Sequence, residues 1–161
     1  MPFSSSKKIY SPADALGRMK KYCAYQERSH SEVRTKLLEL GMRGNDLENV
    51  MVKLIEEGFL NEERFAIAFG GGKFRMKNWG KKKIEQQLKA KGVSEYSIRQ
   101  AVKGIDDGDY RKSLQELLRK KVATLNDKNI FTKKQKLSNF LIGKGYEREL
   151  VWEEVKKYFE E

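Results

Sequence analysis

Residues 80–105 read GKKKIEQQLKAKGVSEYSIRQAVKGI, and the fold follows from them. Ile84 and Leu88 stand four residues apart, as do Ile98 and Val102. Four residues is about one helical turn, so each pair marks the apolar face of a helix. Gly92 lies between the two, where a helix stops most cheaply in the left-handed conformation that a residue without Cβ adopts freely. Val93 and Ile105 complete the pattern. It occurs twice more. Upstream it is Val33, Leu37, Gly41, Met42, Leu47, Met51 and Leu54; downstream it is Leu137, Leu141, Gly145, Tyr146, Val151, Val155 and Tyr158. Three copies about fifty residues apart predict a short array of one helical unit.

A third helix precedes each pair. Ser11-Pro12 starts one that carries Ala13, Leu16, Met19, Tyr22 and Cys23. Asn61 caps the next, with Glu62 and Glu63 in a favourable first turn and a stripe of Phe65, Ala66, Phe69 and Phe74. Asp106 opens the last, with Tyr110, Leu114, Leu117, Leu118 and Val122. Ser29 or Ser31, Asn45 or Asp46, and Ser94 are further cap candidates; Trp79-Gly80 is a break, and Thr132 is near a helix start. No alternating strand pattern appears, and the only prolines are Pro2 and Pro12. The expected fold is all-α: nine helices in three tandem three-helix repeats forming an elongated, curved array. The expected divisions are a disordered tail over 1–10 and repeats over 11–60, 61–104 and 105–161.

Hydrophobic content of 39% suits thin helical layers better than one thick core. No apolar run approaches the roughly 18–20 residues of a membrane span. The N-terminal MPFSSSKKIY lacks the apolar centre of a signal peptide, so a cytoplasmic protein is expected. The single Cys23 permits no internal disulfide, as suits a reducing compartment.

The net charge is +11 and unevenly placed. Residues 11–60 hold eight basic and eight acidic side chains, whereas 61–104 hold eleven basic and four acidic. Within 73–91 lie Lys73, Arg75, Lys77, Lys81, Lys82, Lys83, Lys89 and Lys91, against Glu85 alone. Such a cluster is either a solvated helix face or a surface for a polyanion or an acidic protein.

Chemistry is sparse. One histidine and one cysteine cannot build a typical zinc site, so neither metal nor cofactor is expected. His30 sits in a polar helix start, and Cys23 lies on an apolar stripe as a small core residue. Neighbouring acids such as Glu62/Glu63 and Glu153/Glu154 point to different sides of a helix and suit capping and solvation. Gly70-Gly71-Gly72-Lys73 is not a phosphate loop, because Ile67 and Phe74 stand where that loop needs glycine and a hydroxyl residue. It is a weak point in a helix, or a place where another backbone approaches closely. Phe and Tyr residues on the stripes belong to the core; Trp79 and Trp152, beside charges, are open to either role.

RSHSEVRTKLLELG in the first repeat, GFLNEERFA at the start of the second and GKKKIEQQLKAKGV within it resemble the RecX family of recombinase regulators. The residues carrying the resemblance include Arg28, Ser29, Glu32, Lys36, Leu37, Gly58, Leu60, Asn61, Glu62, Phe65, Ala66, Gly80, Ile84, Leu88, Lys91 and Gly92. The third repeat matches by pattern only. The sequence departs from the family at Gly70–Gly72, where a bulky apolar residue in a regular helix is usual. The helical stripes and the three-unit repeat lead us to expect a monomer, and the resemblance implies a regulator, not an enzyme, that binds RecA and lies in the groove of the RecA–DNA filament. It implies inhibition of recombinase and co-protease activity, with consequences for DNA repair and the SOS response. The basic middle repeat would then face DNA phosphates or acidic RecA surface, and sequence leaves both open. The competing reading is a stand-alone helix-turn-helix-like DNA-binding protein. Against it, SEYSIRQAVK over 94–103 offers only Arg99 and Gln100 as base readers.

Overall fold

A computed structural model describes residues 10–160. The helices are α1 (Pro12–Tyr25), α2 (His30–Glu39), α3 (Gly44–Glu56), α4 (Glu62–Lys77), α5 (Lys81–Ala90), α6 (Glu95–Lys103), α7 (Asp107–Val122), α8 (Ile130–Gly143) and α9 (Arg148–Glu160). No strand occurs among the described residues. The helices pack within three consecutive triplets, α1–α3, α4–α6 and α7–α9. The tail expected over 1–10 lies outside the described residues except for Tyr10. That residue packs on the first triplet, donating its N–H to Leu40 O at 3.4 Å and receiving the Arg18 guanidinium 4.3 Å above its ring.

The caps explain the boundaries. Ser11, Ser29, Asn61, Ser94, Asp106 and Asn129 each accept a backbone N–H from the first turn of the helix that follows. Two starts differ from the sequence reading. α3 begins at Gly44, before Asn45 and Asp46; Arg43 holds that corner by donating to the carbonyls of Leu38 and Met42. α8 begins two residues before Thr132, because Asn129 supplies the cap. The stops at Gly41, Gly92 and Gly145 take φ of 87°, 77° and 103°, as the repeat requires.

Val33, Ile84 and Leu137 are fully buried, as are Leu37, Leu88 and Leu141. Three aligned residues depart. Tyr158 is exposed, because Phe159, one residue on and 5.2 Å away ring to ring, packs on the core instead. In the middle repeat, Ile98 and Val102 are only half-buried, and α6 buries Ser97 and Ala101. The cause is Gly70. A Cβ there would stand 3.3 Å from Ile84 Cγ2 and 3.4 Å from Ala101 Cβ, so α4 reaches α6 along a face of small residues. The three glycines leave α4 unbroken.

Consecutive triplets are joined by one device used twice: the start of a second helix seats on the turn that ends the next repeat's second helix. Between the first two repeats, Ser31 Oγ donates to Lys91 O at 3.2 Å, and Lys91 Nζ pairs with Glu32 at 3.4 Å. Between the second and third, Gly80 N donates to Lys144 O at 2.8 Å and Lys82 N to Gly145 O at 2.9 Å. Here the core is continuous, running from Phe65 to Val155 as one cluster. The units therefore form an elongated row.

Candidate binding site on the middle repeat

The eight cations of residues 73–91 come from α4, α5 and the turn after α5, and packing divides them. Phe69 and Trp79 lie edge to face, 6.2 Å apart, and draw three lysines together. Lys73 Nζ lies 5.5 Å from the Phe69 ring centre and 5.2 Å from that of Trp79. Lys83 Nζ lies 4.8 Å from Trp79, and Lys91 Nζ lies 5.5 Å from Phe69. Each ring offers its negative face to a cation, an attraction of about 0.5–1 kcal/mol at an accessible site. Trp79, half-buried against the core, thus organises charge. Trp152 remains exposed on α9.

Arg75, Lys77, Lys82 and Lys89 are exposed. Lys81 turns into the joint with the third repeat. Its Nζ lies 4.6 Å from the Tyr110 ring centre and 3.3 Å from Asp107, and its N–H donates to Tyr110 Oη at 2.9 Å. Only 19% of its side chain is accessible. Three lysines in succession therefore point three ways: Lys81 into the joint, Lys82 into water and Lys83 over Trp79.

The N-terminus of α5 offers no ready anion cradle of the kind helix starts often provide. The N–H groups of Gly80, Lys81 and Lys82 already donate to Lys144 O, Tyr110 Oη and Gly145 O. Tyr110 passes its own proton toward Glu147 Oε1 at 2.7 Å and stacks on Tyr146, 4.9 Å away. Burial, against the hydrogen bond from Lys81 N and helped by Glu147, raises the Tyr110 phenol well above its ordinary range. Burial raises Tyr146 too, against the contact with Ser113.

The motif residues turn out to build caps and joints. Ser29 caps α2, Asn61 caps α4, and the Glu62 carboxylate accepts the N–H of Ser94. Arg28 lies 3.7 Å over the Tyr22 ring while its Nε donates to Tyr22 O. Glu32 pairs across the first joint with Lys91. Lys36 is an exposed partner of Glu39 at 3.5 Å, while Leu37 and Phe65 are core. Gly58 and Gly92 hold left-handed turns. Gly80 is a point of backbone contact with the third repeat.

Glu154 departs from the solvated role expected for it. It is buried, and its carboxylate accepts from Arg111 Nη1 at 2.6 Å and Gln115 Nε2 at 3.1 Å. Only its stripe position beside Val155 signals this in sequence. Cys23 is buried as a core residue, and burial raises its thiol pKa. No cluster of side chains suited to a metal ion occurs among the described residues, and no described helix is long and apolar enough to cross a membrane.

Residues 61–102 match the second three-helix domain of RecX, and residues 109–154 match the third. The "Regulatory protein RecX" of Pelodictyon phaeoclathratiforme is 33% identical over 130 residues, which is 80% of this chain and 77% of that protein. The protein of the same name from Halalkalibacterium halodurans is 32% identical over 132 residues, 82% of this chain but 50% of its own length. Among solved structures, RecX from Lactobacillus salivarius superposes with a TM-score of 0.82 at 20% identity, covering 91% of this chain and 95% of that one. A second RecX crystal structure gives the same TM-score at 24% identity, with 91% and 71% covered. With the triplets, the joints and these likenesses in agreement, the chain belongs to the RecX family of regulatory proteins.

Proposed function

We propose that this protein binds RecA and the RecA–DNA filament and inhibits recombinase and co-protease activity, so modulating DNA repair and the SOS response. The observation that carries the reading is the match to regulatory RecX proteins across four-fifths of the chain. The physics of the row supports it. Three units over 11–60, 61–104 and 105–161, hydrogen-bonded end to end, present a long surface to a long partner. The middle unit carries Arg75, Lys77, Lys82 and Lys89 exposed, beside Lys73, Lys83 and Lys91 grouped on aromatic rings. In this reading those cations meet the filament, Lys81 holds the surface in shape, and a cytoplasmic monomer acts without cofactor or catalysis.

The test is RecA-promoted strand exchange with increasing protein, alongside binding to bare and to RecA-coated single-stranded DNA. Inhibition, with preference for the coated strand and no nucleotide hydrolysis by the protein itself, is expected. Equal binding to both DNAs without any effect on exchange would replace this reading by that of a stand-alone DNA-binding protein. Lys82→Glu with Lys89→Glu separates phosphate from protein as the surface these cations meet. If they meet phosphates, each lysine removed lowers the salt slope of binding by roughly 0.7 to 0.9. If they meet acidic protein, the charge reversal slows association and leaves bare-DNA binding unchanged.

A further inference from the structure

Between α5 and α6 runs a groove of about 550 Å³, lined by no residue of α4. Its floor is Ile98 and Val102, one helical turn apart on α6. The repeat itself provides the comparison. Leu47 and Met51 hold these positions in the first repeat and are 5% and 3% exposed; Val151 and Val155 hold them in the third and are 0% and 4% exposed. Only in the middle repeat do the small residues Gly70, Ser97 and Ala101 take over the packing of α6 and leave the large pair half-open. Around that floor stand exposed Lys82 and Lys89 from α5 and Arg99 and Lys103 from α6, against Glu85 and Glu95.

We propose that this groove docks an acidic amphipathic helix of a protein partner, its apolar residues on Ile98 and Val102 and its carboxylates against the four cations. An apolar floor with a basic rim matches such a helix on both counts. Other occupants match on one. Nucleic acid would meet the cations but leave the aliphatic floor without a hydrogen-bonding or stacking role. A second copy of this chain would bring a net charge of +11 to a basic surface. The occupant is defined by its chemistry, so the proposal does not rest on the recombinase reading.

The probe is a synthetic peptide of about 16 residues, long enough for marginal helix formation, with leucine at one-turn intervals and glutamate between. It is titrated into the ¹⁵N-labelled full-length protein. Saturable amide shifts centred on Lys89, Ile98, Arg99 and Val102 are expected. The double variant Arg99→Glu, Lys103→Glu should weaken binding about tenfold or more. Val102→Gln, which keeps every charge, should weaken it as well, with the thermal melt showing that each variant remains folded. No saturable shift at about 1 mM peptide, or shifts centred on Phe69 and Trp79, would overturn the proposal. So would equal affinity for a scrambled peptide, or oligothymidylate shifting these amides where the peptide does not. Lys82 and Lys89 also belong to the eight cations assigned to the filament, whereas Arg99 and Lys103 lie outside them, so the double variant tests the groove separately. A peptide that fails to bind protein still able to inhibit strand exchange overturns the groove alone. Peptide binding without any inhibition overturns the recombinase reading alone.

Discussion

Replacing Gly80 by alanine adds one methyl group at the joint between the second and third repeats. Gly80 has φ of −75° and ψ of 166°, a conformation any residue adopts. On an open backbone the change would therefore be neutral or stabilising, by about 0.4–1 kcal/mol through the unfolded chain. The joint reverses that sign. The new Cβ would stand 2.2 Å from Gly145 C, 2.3 Å from Tyr146 N and 2.4 Å from Gly145 O. An ordinary carbon contact lies at about 3.5–4.0 Å, so the third repeat must retreat by more than about 1 Å. These neighbours are backbone and cannot swing aside. The retreat strains the hydrogen bonds from Gly80 N, Lys81 N and Lys82 N at 2.8, 2.9 and 2.9 Å. Overpacking costs about 1–3 kcal/mol, and each weakened hydrogen bond adds about 0.5–1.5 kcal/mol. With the three hydrogen bonds lengthened and not lost, their terms count only in part, and we expect a net loss of about 2–4 kcal/mol. With a urea slope of about 2 kcal/mol per molar, the middle of the usual range, the midpoint should fall by about 1–2 M. The assay is urea unfolding followed by far-ultraviolet circular dichroism. Gly72→Ala is the control: nothing lies within 4 Å of its added Cβ, and it should stabilise α4 by up to about 1 kcal/mol. A Gly80→Ala midpoint at or above that of the unaltered protein would refute the joint.

Leu37→Ala, Leu88→Ala and Leu141→Ala, each at a fully buried position, should each cost about 2–5 kcal/mol in the same titration. Glu154→Ala removes the acceptor for Arg111 and Gln115 and should cost about 1–3 kcal/mol, with Glu154→Gln recovering part of it. Spectrophotometric titration of the seven tyrosines should leave Tyr110 and Tyr146 protonated after the exposed ones ionise. Because their folded pKa values are raised, the stability they contribute is present below the free phenol's range of about 10 and is lost as pH rises beyond it. Tyr110→Phe with Tyr146→Phe should flatten that alkaline loss. Glu153 runs the other way: Lys157, then Arg111, lowers its pKa. Its contribution is present above the ordinary carboxylate range and is lost as pH falls through the lowered value, an effect that Lys157→Ala should shrink.

Arg43 before α3 and Asn129 before α8 escaped the local pattern, but nine helices, the repeat and the caps at Asn61 and Ser94 are legible in the sequence. These depend on residues three to four apart or adjacent to a turn, and that information is local. Leu37, Leu88 and Leu141 had only to be aligned to be placed in the core. The cationic surplus of residues 73–91 was equally open to counting. Tertiary structure decided what the count could not. Lys81 faces a joint and Lys83 a tryptophan because Tyr110 and Trp79 are brought there by packing. Glu154 is buried because Arg111, forty-three residues away in the chain, reaches it. Ile98 and Val102 share their alignment with buried residues, yet stand half-open because Gly70 admits α6 through its small face. Gly80 and Gly145 are ordinary helix punctuation until two repeats meet between them. Each case depends on a partner distant in the chain, and a short-range pattern carries no information about which distant surface will arrive.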